Sequence, residues 1–332
     1  MGNCFVKSDK LTAEIVARDG AKVYPTVRLY GSPKSILAAY IRFALLHKSV
    51  SLDFIPSDET PTSRIGSDPD GHVTLQVGSE VVSGSREALL RFIDARFPSP
   101  AAAGSGGGVE VETTPLMVKL TRLQHKSMMW HVERVVRWAK DLETRGGKKA
   151  VDPSVGSPRM EIKKFARSYS ELLEVMMEHA QMEETLLFPF FDSADRALTK
   201  VAKEDHARDL PLMNGIKEII KSVGVLASES PDFQEVLYNL STRLKLLQAR
   251  CKQHFMEEEV EVLPLMEALE LSKEQEESAL EQCFDVMQGT HGRLLKFFLE
   301  GLTSRDAMKY LDLISMCRNK EKMESMLQMI VK

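Results

Sequence analysis

The sequence predicts a multidomain chain, a small α/β unit followed by an all-α, up-down helical bundle with two extra C-terminal helices. Three observations carry this reading. Residues 23–98 alternate short strand-like runs with helical patterns. Residues 99–114 (SPAAAGSGGGVEVETT) have the Gly/Ala/Ser composition of a flexible linker. From residue 115 to about 330, apolar residues recur at the three- and four-residue spacings of helices that bury one face.

The chain of 332 residues is long enough for two domains. Its formal charge of −4 predicts neither nucleic-acid nor anionic-surface binding. It has no 18-residue apolar run, so no transmembrane helix is expected. The cysteines at 4, 251, 283 and 317 have no paired spacing, which argues against a disulfide framework or a Cys-based zinc site and fits a reducing compartment.

Residues 1–22 read as a tail that begins MGNCFVKS. Gly2 resembles an N-myristoylation start and the nearby Cys4 a palmitoylation site, although Val6 stands where Ser or Thr is usual. Two acyl chains anchor a protein where one is marginal, so peripheral association with the cytoplasmic side of the plasma membrane is expected. A soluble cytosolic chain is the alternative.

In the α/β unit, Val27–Tyr30, Val50–Ile55, Val73–Val77 and Glu80–Val82 read as strands, and residues 34–47 and 85–96 as helices. Bundle helices follow at Pro115–Glu143, about 159–187, 196–222 and 232–262. The two extra helices span about 272–300 and 303–330, starting at Ser272-Lys-Glu-Gln-Glu276 and at a capping box, Thr303-Ser-Arg-Asp306.

One pattern occurs twice in the bundle. Residues 179–189 read HAQMEETLLFP and residues 254–264 read HFMEEEVEVLP. In each copy a His and a Glu four apart share one helix face, and a Pro that would end the helix follows ten residues after the His. His179 and Glu183 continue the stripe Phe165, Leu172, Met176, whereas His254 and Glu258 continue Leu240, Leu244, Leu247, Cys251. His125 lies on a stripe with Val118, Met129, Val132 and Val136, and His206 on one with Ala202, Leu210, Met213 and Ile220. Four imidazoles and two carboxylates are therefore expected in an apolar interior, where a charge is costly unless paired or bound to metal. Facing bundle helices build metal sites in this way. Glu184 and Glu259 have two readings, as exposed rim residues or as outer partners of the ligands. Asp205 reads as a solvated helix residue that could orient an imidazole. His131 and His291 fall outside the pattern and are expected to be non-ligands.

The order and spacing of these residues resemble the hemerythrin-like, HHE cation-binding family over about residues 115–325. That resemblance implies a helical bundle holding two non-haem irons per chain, with His125, His179, Glu183, His206, His254 and Glu258 as ligands. Leu210 stands where oxygen-carrying members place a further His, which points to the regulatory, iron-sensing type. With both carboxylates and a water bridging, about two positions of an octahedral pair stay open for water, O2 or a small ligand. Mixed imidazole and carboxylate donors suit iron or manganese better than zinc or calcium.

VRLYGSPKS, IRFALLHKSVSLDFI and GSREALLRFIDARFP resemble the thioredoxin-like N-terminal half of glutathione transferases. Ser35 falls where Ser-type transferases keep their thiol-activating hydroxyl, and Ser85 where they bind the glutathione carboxylate. Thr74 replaces the cis-proline, Gly84 replaces the acidic neighbour, and no transferase-type helical half follows. A degenerate interaction module is the expectation. The function expected of the whole is a di-iron sensor or regulator of iron, O2 or redox state, with no enzyme activity assigned. The alternatives are a di-iron oxidase, peroxidase-like or NO/O2-handling enzyme, a glutathione transferase, and a metal-free scaffold.

Overall fold

A computed structural model describes residues 26–46, 48, 50–56, 73–97, 114–146, 148, 157–191, 196–226, 230–269 and 271–331. Gly2 and Cys4, with the rest of the tail, and all of the linker but residue 114 lie outside the described residues.

The N-terminal unit runs β1 (Val27–Gly31), α1 (Ile36–Leu46), β2 (Leu52–Pro56), β3 (Thr74–Val77), β4 (Glu80–Ser83) and α2 (Arg86–Arg96). Its sheet has the order β2-β1-β3-β4, with β2 parallel to β1 and the other neighbours antiparallel. This small α/β arrangement is compatible with a thioredoxin-like domain. The period-two alternation of a strand puts Val27 and Leu29 inward and Arg28 outward. Ser35 and Ser85 act as helix caps: their hydroxyls accept the amides of Ala38 at 3.2 Å and Ala88 at 3.3 Å.

Four long helices form the bundle, α3 (Leu116–Arg145), α4 (Pro158–Met182), α6 (Arg196–Val225) and α7 (Pro231–Glu257), with a short α5 (Phe188–Phe191) before α6 and α8 (Leu263–Ala268) after α7. They close a ring in which α3 packs on α4, α4 on α6, α6 on α7 and α7 on α3. Ser157 and Ser230 cap α4 and α7, each followed by a proline that suits the first helical turn. Gly146 ends α3 in the left-handed conformation (φ 57°), which glycine adopts without steric penalty.

Pro189 and Pro264 do not end their helices as the sequence reading expects. A π-helical turn precedes each, at Glu183–Leu187 and Glu258–Val262, in which Phe188 and Leu263 bond back five residues to the carbonyls of Glu183 and Glu258. The helix then resumes with proline in its first turn, where a missing N–H leaves no bond unmade.

The extra helical region is also more broken than expected. It comprises α9 (Lys273–Val286), α10 (Gln288–His291), α11 (Leu295–Glu300), α12 (Ser304–Ser315) and α13 (Lys320–Val331). Between α9 and α11, the Glu178 carboxylate of α4 accepts the amides of Gly289 and Thr290 and so starts α10 from outside. The full capping box forms at Ser272 and Gln275. At Thr303 the hydroxyl accepts the Asp306 amide at 3.2 Å. Asp is one methylene shorter than the Glu of that motif, and no return bond is seen there.

These helices cover the α3/α4 side of the bundle and carry the α/β unit on their outer face, where α1 packs on α12 and α13. The Tyr40 hydroxyl donates to Asp312, which also accepts from Arg86 at 3.1 Å, while Lys34 pairs with Glu324 at 2.6 Å.

Candidate metal centre

Each bundle helix delivers its share of the predicted set: His125 from α3, His179 from α4, His206 from α6 and His254 from α7. Glu183 and Glu258 follow their histidines by four residues and open the two π turns. A widened turn of this kind is frequent at functional sites. All six side chains meet in the bundle interior, where Glu183 is fully buried and Glu258 is 3% exposed. They form two overlapping groups. His125 and His179 share Glu183 and Glu258 with His206 and His254, and the candidate ligand atoms within each group lie within 4.8 Å of one another.

The electrostatics of the cluster follow from which nitrogen faces inward. His125 Nδ1 lies 2.9 Å from Glu259 Oε1, His179 Nδ1 2.9 Å from Gln124 Oε1, and His206 Nδ1 2.9 Å from Glu184 Oε1. Those oxygens can only accept, so each Nδ1 carries the proton, and a neutral ring then turns a bare lone pair on Nε2 inward. What those lone pairs face are further acceptors. His179 Nε2 is 3.0 Å from Glu183 Oε1, His206 Nε2 3.4 Å from Glu183 Oε2, and His254 Nε2 3.4 Å from Glu258 Oε1. His206 Nε2 and His254 Nε2 stand 3.1 Å apart. Nε2 of His125 and His179 and all four oxygens of Glu183 and Glu258 are buried with no hydrogen-bond partner. Such a set of converging acceptors needs cations or protons between its members. The residues present fit a pair of metal ions.

With no metal present, protons take that place. Burial disfavours a charged His125, but Glu183, Glu258 and Glu259 outweigh it and raise its pKa well above the usual value. His206 is likewise disfavoured by burial and then raised by Glu183 to about 9. At His179 burial wins and lowers the pKa. Glu183, pushed up by burial, is pulled well below the usual carboxylate range by His179, His125 and His206. Metal binding has to displace these protons.

The outer partners correct part of the sequence reading. Glu184 is exposed and Glu259 half-buried at the rim, and each also holds an imidazole. Asp205 is largely buried rather than solvated, with Oδ2 3.6 Å from His254 Nδ1 and Oδ1 2.6 Å from Arg208. Gln124 carries no sequence signal, because its contact to His179 arises only when α3 and α4 pack. Phe255 is equally silent, and its ring stacks on His125 at 4.2 Å between centroids. His131 and His291 lie outside the cluster. Nε2 of His131 donates to the Phe297 carbonyl at 2.8 Å. His291 donates through Nδ1 to the Met287 carbonyl and accepts the Tyr310 hydroxyl. Burial pushes both imidazoles down to about 3.

Ser35, the hydroxyl expected of a transferase-like site, is 4% exposed and occupied in capping α1. Among the described residues no helix is long and apolar enough to cross a membrane.

A comparison with curated proteins finds no match to this chain. Residues 116–266 do match a family model, the hemerythrin HHE cation binding domain. That span holds all four histidines and both glutamates of the cluster, so the helical bundle of this chain is a hemerythrin-type HHE cation-binding domain.

Proposed function

We propose that the chain binds two iron ions through His125, His179, Glu183, His206, His254 and Glu258, and that it senses or regulates in response to iron, O2 or redox state. The observation that carries this reading is the buried set of facing acceptors, which two cations would satisfy together. Iron, when bound, supplies an ion pair whose oxidation state and open coordination positions respond to the surroundings. The chain's own part is to hold three of the imidazoles in one tautomer through Glu259, Gln124 and Glu184, and to keep the two carboxylates buried. Because the ligands come from all four bundle helices, loading the site ties the bundle together and unloading it leaves costly groups buried. Metal state and bundle stability are thereby one quantity, which is what a sensor requires. Gly2 and Cys4 are proposed acylation sites that would bring the chain to a membrane, and an intact mass from a eukaryotic host tests them.

The paired variant His179→Ala with His254→Ala tests the function directly. It removes one imidazole from each half of the cluster. The expected outcome is loss of bound iron together with a lower melting temperature than the iron-loaded parent. Unchanged iron content and stability would contradict the proposal.

A further inference from the structure

The described residues enclose a cavity of about 400 Å3 that opens between α4 and α6 and reaches α7. His179, His206 and His254 bound its inner end, so it adjoins both halves of the cluster. Its walls are apolar and soft: Met128, Met176, Leu210, Met213 and Phe255. Toward solvent stand the polar side chains of Gln181, Glu184 and Lys203. The cavity thus has one end rich in metal-ligand chemistry and a mostly apolar remainder, lined also by the buried Cys251 thiol and by Asp209, which accepts from Arg250 at 3.1 Å.

Size and lining define what fits. An apolar cavity of roughly 150 Å3 stays dry and accepts benzene, so this one has room for roughly sixteen non-hydrogen atoms. Methionine side chains are unbranched and polarisable and mould to a flexible guest. Charge sets the end-group. In the metal-free cluster protons offset the charge of Glu183 and Glu258, whereas two bound cations outweigh it and make the inner end positive. We propose that this cavity binds an unbranched aliphatic carboxylate of medium chain length, its carboxylate directed at the metal pair and its chain along the methionine walls. The inference rests on the proposed metal pair for the placement of the carboxylate and on the cavity alone for the chain.

Decanoate and 1-decanol serve as probes, by titration calorimetry on the full chain with and without iron. The iron-loaded chain binds decanoate saturably, and removing iron weakens that binding by about tenfold or more, through loss of the positive charge at the inner end. 1-Decanol, which lacks the charge, binds both forms alike. Leu210→Trp fills the cavity and weakens both probes by about tenfold or more. Its iron content stays that of the parent. A second measurement needs no variant. In metal-free protein with methyl-labelled methionine, 1-decanol shifts the signals of Met128, Met176 and Met213 and leaves those of Met308 and Met326 in place. Equal binding by Leu210→Trp, or shifts absent or confined to other methionines, overturns the assigned cavity. Decanoate affinity indifferent to iron overturns the placement of the carboxylate. A parent chain that takes up no iron overturns the metal centre itself, which the iron content reports separately.

Discussion

An imidazole that donates through Nδ1 has only its Nε2 lone pair left to offer, and at three of the four histidines here a named side chain enforces that choice. Outer partners of this kind typically change metal affinity by about 10–100-fold when removed. Glu184→Ala and Glu259→Ala should each weaken iron binding by about that factor, measured by competition with a chelator. Glu184→Gln and Glu259→Gln, which keep an acceptor for Nδ1, should lose less. Affinities of the alanine variants equal to the parent's would mean that these contacts do not orient the ligands. His131 has a different role, since it is neutral when folded, with its pKa pushed by burial down to about 3. In the unfolded chain the imidazole titrates near 6.5. Below that value the unfolded state takes up a proton that the folded state refuses, so stability is whole above about 6.5 and is lost as pH falls toward 3. His131→Gln, whose amide can still donate to the Phe297 carbonyl, should flatten this acid limb in the metal-free protein by about 1 kcal/mol per pH unit. An unchanged limb would place the titration elsewhere. At this scale, the six ligand candidates were legible because a four-residue spacing is a local property of a helix. Gln124 and Phe255 were not legible, because cross-helix packing brings them to the site.

The π turns are the element-scale feature that matters most. Sequence showed the prolines and misread their effect, because proline forbids the α ladder at one position without saying how the chain adapts. Here the adaptation is a wider turn that begins at the candidate ligand carboxylate itself, so Glu183 and Glu258 are placed by the same distortion that accommodates Pro189 and Pro264. The break-up of the 272–300 stretch has a similar cause, since the Glu178 carboxylate that starts α10 lies more than a hundred residues away in sequence. At the end of α11, Gly301 is pressed against α3. A Cβ there would lie 2.6 Å from Ser127 Oγ and 2.7 Å from the Ser127 carbonyl oxygen. Ser127 has no room to yield, because its hydroxyl is buried and donates to the Phe298 carbonyl. Gly301→Ala should therefore cost about 1–3 kcal/mol through overpacking. Denaturant unfolding measures it, and a loss near zero would show that α11 can draw back from α3.

For the whole molecule, two units and a linker are legible in the sequence, but no relation between them is. The structure joins them through the C-terminal helices, with α12 packed on α3 on one side and on α1 on the other. Gln124, which holds His179, also reaches Tyr310 of α12. Two residues further along, Asp312 meets Tyr40 and Arg86 of the α/β unit. Side chains of α12 thus reach both Gln124, the partner of His179, and the domain junction. The partners that make this junction are scattered over Tyr40, Arg86 and Asp312 and share no periodicity, which is why the sequence did not announce it. The claim beneath all of this is that six side chains from four helices hold two ions as one unit. Iron titration into metal-free protein, followed by elemental analysis after desalting, tests it most directly. The account predicts saturation at two irons per chain in the parent and none retained by Glu183→Ala with Glu258→Ala, because both groups of candidate ligands include those carboxylates. A parent that retains no iron, or a double variant that still holds two, would contradict it.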